Sequence, residues 1–528
     1  MLLSQLGDLG ASFLDWIDDG IREITVTENA WSAFTRLSSF AGEQARRCER
    51  WYWALPATLA FSVTVIGASG PSLWGDELAT WSAVRRSWSQ LWNLFHNLDI
   101  VMAPYYIFMH TWIQVFGDSE LSLRMPSILA VAATAALLSV LGRRLFSTQV
   151  GLFAGVLFAI LPGISRVGQE TRAIAFTVMF AVLATLVLVI ALEAPQRWRW
   201  LYYGASVVAL GMTSVIALLL LVAHGAFVAQ RWYITRDRQP QRWLVSTVGG
   251  LLVLSPMIYL GQRQIAQLGW VPKPQGTAFF DSLAITGSIG LGCVLLGLGL
   301  VGLKLAGRAW GMLLAWLLVL PVLLYFTSMY GPQSYWVSRY LYFMIPGLVL
   351  LVSLSLSWLG ARHAVTVFVL LALFVVPLHW TVRSNSGHSL AEGFGRASFN
   401  GPAVVDYVSS RLRPGDVALF SDKSSADPRN MLRYYGLPAS QLPDALATKS
   451  AEEIGRFHPT ECAEVAPCLS GVSRAWLFIR YYSGNDPFYK MSAAKGAFLR
   501  ENFRVAPPHT IGAITVFLLE RPMSLGAR

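Results

Sequence analysis

The chain has 528 residues, of which 54% are hydrophobic and 13% charged, and its mean hydropathy is +0.49. Soluble globular proteins carry about 25% charged residues, so this composition excludes an ordinary soluble domain and indicates an integral membrane protein. The net charge of +11 does not indicate nucleic-acid binding, because the Arg and Lys residues lie mostly between apolar runs, where they set membrane topology.

Apolar runs recur along the chain and predict a polytopic α-helical membrane protein with about eleven transmembrane helices, since about twenty apolar residues cross a bilayer. The runs are continuous rather than alternating, which favours helices over a β-barrel. The fifth and sixth runs are short and almost continuous with each other. The predicted spans are 51–70, 125–142, 148–164, 172–192, 199–212, 214–231, 243–261, 281–303, 309–327, 341–359 and 364–382.

The basic residues of the short loops predict the orientation. Clusters precede the first run and follow the second, fourth, sixth, eighth and tenth, so all of them fall on one side, which the positive-inside rule makes cytoplasmic. The amino terminus is then predicted inside, with no cleavable signal. These basic residues are Arg46, Arg47, Arg50, Arg143, Arg144, Arg197, Arg199, Arg231, Arg236, Arg238, Arg242, Lys304, Arg308 and Arg362.

Three regions follow from this pattern. Residues 1–50 are a cytoplasmic segment, either amphipathic on the membrane or disordered. Residues 51–383 are the transmembrane domain. Residues 384–528 are an extracytoplasmic α/β domain, in which "GPAVVDYVSSRLRPGDVALFS" predicts a helix, a turn and a strand, and "RAWLFIRYY" and "AITVFLLE" predict further strands.

Cysteines and tryptophans add two expectations. Cys462 and Cys468 lie in the tail and can close a disulfide loop if that side is oxidising, whereas Cys48 and Cys293 lack evident partners.

Between 81 and 95, Trp and other apolar residues recur at helical spacing, and Trp-rich amphipathic helices commonly lie in the interface. We therefore predict one helix there, lying flat on the outer surface.

The outer-side loops hold the polar residues that suggest chemistry, while the span centres are nearly free of charge. A carboxylate there can take a proton from a hydroxyl, Arg residues can hold a phosphate, and aromatic rings can stack on sugars. This set fits sugar transfer from a lipid phosphate. The candidates are Asp76, Glu77, Asp99, Tyr105, Tyr106, His110, Arg124, Glu170, Arg172, Lys273, Arg339 and Tyr340.

Four segments together resemble the GT-C membrane glycosyltransferases, in particular the group with protein O-mannosyltransferases and the lipid A aminoarabinose transferase. They are "WGDE", "APYYIFMHTWIQVFGDSELSLRMPS", "GQETRAIAF" and "SRYLYFMIP", and the resemblance covers about residues 51–382. It implies a GT-C fold, a polyprenyl-phosphate sugar donor and inversion at the anomeric centre. Mannose is the sugar most frequent in the family.

The resemblance also implies roles for particular residues. Asp76 corresponds to the essential acid of the first outer loop and is expected to be the general base, with Glu77 beside it. Glu170 would be a second acidic contact, and Arg172 and Arg339 would face the lipid phosphate. Many relatives have a His-Pro-Pro or Pro-Pro element where this chain has "DIVMAPYY", so we expect acceptor choice to depend on this loop.

Simpler interpretations stay open for the same residues. Asp76 or Glu77 can cap the helix that begins near Leu78, and Arg124 and Arg339 can anchor spans at the interface. Glu170 and Arg172 can pair with each other, and His110 can serve packing alone. No cofactor is indicated; a divalent metal is possible, although no tight ligand spacing supports it.

The leading hypothesis is an inverting glycosyltransferase that moves a sugar from a polyprenyl-phosphate donor to a hydroxyl of a glycan, glycolipid or protein on the outer face. A transporter or flippase of lipid-linked sugars is the alternative, and it predicts internal repeats and broken helices. A non-catalytic membrane scaffold is the third hypothesis, and it leaves the clustered outer charges without a purpose.

Overall fold

The computed structural model describes residues 51–359, 361–383, 399–422 and 426–522. The described residues from Trp53 onward belong to one compact unit, and of the residues before it only Trp51 and Tyr52 are described. The expectations for residues 1–50 and for Cys48 fall outside the described residues. The domain boundaries predicted at 50 and 383 stay predictions for the same reason.

Helices make up the first part of the unit, and each of the eleven predicted spans contains one. The helices are α1 Ala54–Val65, α2 Gly75–Val84, α3 Trp88–Asn97, α4 Ala103–Phe116, α5 Glu120–Leu145, α6 Thr148–Ile160, α7 Pro162–Gly168, α8 Ile174–Glu193, α9 Arg197–Thr213, α10 Leu220–Thr235, α11 Gln239–Arg263, α12 Ala278–Ser282, α13 Ile289–Leu305, α14 Trp310–Leu314, α15 Leu320–Tyr330, α16 Ile345–Trp358 and α17 Ala361–Arg383. Short 3-10 helices lie at Ile100–Met102, Ile216–Leu219, Ile265–Leu268, Leu283–Thr286, Gly307–Ala309 and Ser338–Met344, and a π-helical turn at Ala315–Val319.

Not every described helix within a predicted span is long enough to cross a membrane as one straight helix. Within the described residues, seven helices are long and apolar enough to cross a membrane, or up to nine if each of two bent pairs counts as one span. Helix α1 has 12 residues and α9 has 17, about 18 and 26 Å at 1.5 Å per residue. The polytopic helical fold is confirmed, and the estimate of about eleven spans stays a prediction.

The two bent pairs touch each other at their breaks. Helices α6 and α7 meet at 67°, where Pro162 starts a new helix, and the segment Ala278–Thr286 meets α13 at 91°. A Cβ on Gly163 would fall on the carbonyl oxygen of Ile285, and one on Gly287 (φ +132°) would press on Pro162. Glycine is therefore needed at both breaks for the backbones to approach so closely.

The loop after α1 holds two short helices where the Trp spacing predicted one. Helix α2 ends at Val84, and Ser87 caps α3 by accepting from the Gln90 backbone N–H while the Gln90 side chain accepts from Ser87 N. This reciprocal capping box starts a new helix. The single flat helix was therefore a wrong prediction: Trp81 is buried, and only Trp88 and Trp92 are exposed.

Every described strand lies in the tail, as predicted. A five-stranded sheet has the order β1 (Val417–Phe420), β4 (Arg474–Arg480), β7 (Ile514–Glu520) and β5 (Arg504–Val505), and β6 (His509–Ile511) also pairs with β7. Strands β1 and β4 are parallel, and the other pairs are antiparallel. The predicted strands in "RAWLFIRYY" and "AITVFLLE" are β4 and β7. The tail elements are α18 Gly401–Ser409, β1 Val417–Phe420, α19 Ala426–Tyr434, β2 Ala447–Lys449, β3 Thr460–Glu461, α20 Val465–Cys468, β4 Arg474–Arg480, α21 Ala493–Asn502, β5 Arg504–Val505, β6 His509–Ile511 and β7 Ile514–Glu520.

The tail packs directly on the loop that carries Asp76 and Glu77. The Tyr435 hydroxyl accepts from Leu73 N at 2.8 Å, and Oδ2 of Asp427 lies 2.7 Å from the position that a Cβ of Gly75 would take. The Asn93 amide donates to the Glu453 carbonyl. Because these contacts involve both segments, the loop and the tail lie on the same side of the membrane. Within the tail, Cys462 and Cys468 form a disulfide.

Candidate active site

Helix α2 places two carboxylates in its first turn. Trp74 before it is extended (φ −94°, ψ 174°), and Asp76 and Glu77 follow at the second and third helical positions. Acidic side chains are favourable at a helix amino terminus, where backbone N–H groups are unpaired. Glu77 accepts from the Trp74 backbone N–H at 3.4 Å, so the capping interpretation applies to Glu77.

Glu77 is buried in an ion pair with Arg124. The Arg124 Nε and Nη2 donate to the two Glu77 oxygens at 2.9 and 2.7 Å, and both side chains are 1% exposed. Arg124 Nη1 donates to the carbonyls of Ala68 and Pro71, and Thr171 donates to Glu77 from its backbone and hydroxyl. In this structure Glu77 and Arg124 are engaged with each other and with nearby loops. The catalytic role expected of Glu77 and the substrate contact expected of Arg124 stay predictions.

Asp76 has a different environment. Its Oδ2 lies 3.0 Å from Nη1 of Arg339, with side-chain exposures of 29% for Asp76 and 9% for Arg339. The Arg339 guanidinium lies among the rings of Trp74, Trp270 and Tyr340, 5.7 to 5.8 Å from each centroid. Residues more than 260 positions apart thus form one partly exposed acid–base pair beside aromatic faces.

Arg172 is the second guanidinium of this cluster. Its Nη1 donates to the Thr80 hydroxyl at 3.4 Å, and that hydroxyl donates to the Asp76 carbonyl at 3.0 Å. Burial lowers the pKa of Arg172, but the electrostatic effects of Asp76, Tyr106, Asp99 and Tyr340 outweigh it and raise the pKa overall. Arg172 is therefore held as a permanent cation facing Asp76 and Asp99.

Asp99 completes the cluster from the loop between α3 and α4. It has a left-handed backbone (φ +57°) and accepts from the Tyr106 hydroxyl at 2.9 Å. Gln264 holds the same turn, since its side chain accepts from Ile100 N and donates to the Phe95 carbonyl. Burial raises the pKa of Asp99 and outweighs the opposing effects of Arg172 and of the hydrogen bond from Tyr106.

The raised pKa of Asp99 predicts a pH-dependent stability for Asp99→Asn. A group whose pKa is higher in the folded state stabilises the fold fully below its ordinary value, here 3.8, and this contribution is lost as pH rises through the raised pKa. Asn cannot ionise and tolerates a left-handed backbone. We expect D99N to melt about 2 °C above wild type at pH 8, with the difference vanishing at acidic pH.

Thermal unfolding in detergent at pH 5, 6.5 and 8 measures this difference. A D99N protein that melts below wild type at pH 8 would show that attraction to Arg172, rather than burial, dominates the energetics of Asp99.

The other predicted substrate contacts lie in internal interactions. Glu170 pairs with Arg166 at 3.0 Å rather than with Arg172. His110 Nδ1 is 2.7 Å from the Val84 carbonyl, and its ring lies edge-on to Trp88. Tyr105 is buried against Tyr106 and Phe176, and the exposed Lys273 donates to the Met329 carbonyl. The structure thus gathers Asp76, Asp99, Tyr106, Arg172, Arg339 and Tyr340. We call these six residues the outer-loop cluster, after the side of the membrane that the sequence predicts for their loops.

Sequence reasoning missed Thr80, Thr171 and Trp74. Thr80 was detectable, because it lies four residues after Asp76 and so on the same face of α2. Thr171 stands between Glu170 and Arg172 in the sequence but contacts Glu77 through the fold. In the described part of the chain, no three His, Cys, Asp or Glu side chains are grouped to hold a metal ion, and the possible divalent metal stays an untested prediction.

Comparisons with known proteins agree with this architecture. Residues 101–260 match the model of the family described as dolichyl-phosphate-mannose-protein mannosyltransferase. This segment begins two residues after Asp99 and includes Tyr106 and Arg172, whereas Asp76 and Arg339 lie outside it. No curated protein sequence matches the chain significantly.

Two solved structures share the fold. One is ArnT from Cupriavidus metallidurans bound to undecaprenyl phosphate, with 11% identity and a TM-score of 0.56. The other is the same protein in the apo state, with 14% identity and a TM-score of 0.56. Each match covers 90% of this chain and 99% of the ArnT chain. At this identity the likeness shows the fold alone, and with the family match it confirms the resemblance to GT-C membrane glycosyltransferases.

Proposed function

We propose that the protein is an inverting glycosyltransferase that moves a sugar from a polyprenyl-phosphate donor to an acceptor hydroxyl at the outer membrane face. The outer-loop cluster carries this proposal, because it joins a partly exposed carboxylate to two guanidinium groups in one place. The matched family is named for a dolichyl-phosphate-mannose donor, and the ArnT structure holds undecaprenyl phosphate. Both names support a lipid phosphate as the donor of this chain.

The chemistry follows from the charges. Asp76 takes the proton of the acceptor hydroxyl as the hydroxyl oxygen bonds to the anomeric carbon. The bond from that carbon to the phosphate oxygen breaks on the opposite face, and its electron pair leaves with the lipid phosphate. Arg172 and Arg339 stabilise the charge that develops on that phosphate. In the free enzyme Arg339 pairs with Asp76, and donor phosphate would take over this guanidinium and free the carboxylate.

An apolar cavity next to Arg339 suits the lipid part of the donor. Its lining includes Leu341 and Met344 from the same 3-10 helix as Arg339, together with Phe280, and its volume is about 240 Å³. Phosphate held by Arg339 would leave the first isoprene units beside this cavity. Apolar surface removed from water there contributes about 25 cal/mol per Å² to binding.

The acceptor is proposed to approach under the tail, which packs against α2 through Tyr435 and Asp427. It is a hydroxyl of a glycan, a glycolipid or a protein. We propose mannose as the sugar because of the matched family's name. Assaying polyprenyl-phosphate mannose against the arabinose and aminoarabinose analogues tests that choice, and equal or faster transfer from either analogue would contradict it.

Arg339→Ala tests the donor site. Because one charged hydrogen bond to phosphate is lost, we expect kcat/KM for the donor to fall about 10²–10³-fold, with a smaller fall for Arg339→Lys, which keeps the charge. The assay follows release of polyprenyl phosphate by purified protein in detergent. Arg263→Ala is the matched control, since this exposed arginine lies over Tyr259 outside the cluster. Unchanged kinetics in R339A would remove Arg339 from the donor site.

The flippase alternative keeps one supporting observation, the two helix pairs broken at 67° and 91°. Broken helices occur in transporters near their substrate sites. Reconstituted protein that moves lipid-linked sugar across vesicles without releasing polyprenyl phosphate would favour the flippase. Release that depends on an acceptor would favour the transferase.

A further inference from the structure

Helices α9 and α11 form an apolar groove on the surface of the membrane domain. The two helices touch along their length, because Gly204 lies against the Ser246 carbonyl and Gly250 against the Gly204 carbonyl. Side chains on either side of this contact, among them Leu201, Val245 and Val253, are exposed and form the walls. The groove has a volume of about 840 Å³.

One end of the groove is cationic. Arg197, at the start of α9, and Arg242, in the first turn of α11, line it at this end. Arg242 donates to the Pro195 carbonyl, which fixes the two helix starts together. Among the described residues, nothing forms a hydrogen bond or ion pair with the Arg197 guanidinium, and no acidic side chain lines the groove.

The dimensions match one leaflet of a bilayer. From Arg197 to Val208 on α9, and from Gln241 to Val253 on α11, the groove is about 17 Å long at 1.5 Å per residue. Half of a hydrocarbon core is about 15 Å thick. Arginines at one end therefore stand at headgroup depth while the apolar part reaches the midplane. Trp200, one turn deeper than Arg197, is 4% exposed, and its Nε1 has no acceptor among the described residues.

We propose that this groove is a binding site for an anionic glycerophospholipid, separate from the donor site. The headgroup phosphate pairs with Arg197 and Arg242, and an acyl chain lies along the glycine-lined contact. This lipid belongs to the leaflet at the basic end of the bundle. Charge complementarity at the headgroup end favours an anionic lipid over a zwitterionic one, because each basic residue near the surface contributes attraction to negative lipid.

Native mass spectrometry of the full chain in mild detergent tests the site, with added phosphatidylglycerol and phosphatidylcholine of the same acyl composition. We expect wild type to retain phosphatidylglycerol preferentially. The double variant Arg197→Ala and Arg242→Ala should lose about thirtyfold in affinity for it, at about tenfold per 1.4 kcal/mol. Arg308→Ala, an exposed arginine of the basic loops away from the groove, is the matched control and should not change binding.

A second variant tests the apolar part without changing charge. A side chain on Gly249 meets no atom within 4 Å, so Gly249→Leu fills the groove while sparing the contact between α9 and α11. We expect it to weaken binding of both lipids. If the double variant does not fold, Arg197→Ala is tested alone, and we expect its affinity for phosphatidylglycerol to fall about fivefold. Equal retention of the two lipids by wild type, or unchanged phosphatidylglycerol binding in the arginine variants, would overturn the proposal.

Discussion

We expect Asp76→Asn to lower kcat for the proposed sugar transfer by about 10²–10⁴-fold, the usual contribution of a positioned general base. Asn is nearly isosteric with Asp and can still accept a hydrogen bond from Arg339, which lies 3.0 Å from Asp76. What it cannot do is take the proton of the acceptor hydroxyl. The cluster should therefore keep its geometry while the chemical step slows. Transfer from polyprenyl-phosphate sugar in detergent, with kcat and KM determined separately, measures the effect.

Two comparisons make the result specific to Asp76. Glu120→Gln removes a half-exposed acid at the start of α5, outside the outer-loop cluster, and should leave the rate unchanged. Asp99→Asn removes the other acid of the cluster, whose carboxylate already accepts from Tyr106, and should slow transfer less than D76N. Full activity in D76N would exclude Asp76 as the base. If D99N lost as much activity as D76N, both carboxylates would take part in removing the proton of the acceptor hydroxyl.

We expect Arg124→Ala to destabilise the fold by about 3–5 kcal/mol, because it leaves the Glu77 carboxylate buried without its counter-charge. The pair is 1% exposed on both sides, and Arg124 also satisfies the carbonyls of Ala68 and Pro71. These bonds connect the end of α1, the start of α2 and the start of α5. Loss of the guanidinium should therefore loosen the loop that positions Asp76, and activity should fall together with the melting temperature.

The matched control is a second arginine–carboxylate pair from the same loop. Arg85 contacts Asp118 at 3.0 Å, but the two side chains are 50% and 38% exposed. Exposed pairs contribute about 0–1 kcal/mol, so Arg85→Ala should change the melting temperature little. If R124A and R85A were equally stable, burial would not decide the strength of the Glu77–Arg124 pair. If R124A kept wild-type stability but lost activity, the result would support the predicted substrate contact of Arg124.

The features predicted correctly from the sequence are those that depend on residues close to one another along the chain. Each predicted span contains a helix, because a continuous apolar run of about twenty residues can satisfy its backbone in a membrane only as a helix. The strands β4 and β7 were predictable from their β-branched and aromatic residues. Their pairing partners were not, because register depends on which strands the fold brings side by side. The break between α2 and α3 is also local, and the Ser87–Gln90 capping box could have been read from the sequence.

The membrane class and the helical segments were thus determined by the sequence alone, since they depend on residue type and on spacing within one segment. Only the tertiary structure decided which polar residue meets which. It pairs Glu77 with Arg124 and Asp76 with Arg339, two neighbouring acids with opposite environments. Adjacent residues on a helix point in different directions, about 100° apart at 3.6 residues per turn. One direction leads to a buried junction of loops and the other to the partly exposed cluster. Which residues stand in each place depends on segments that are distant in sequence, so no local pattern could predict it.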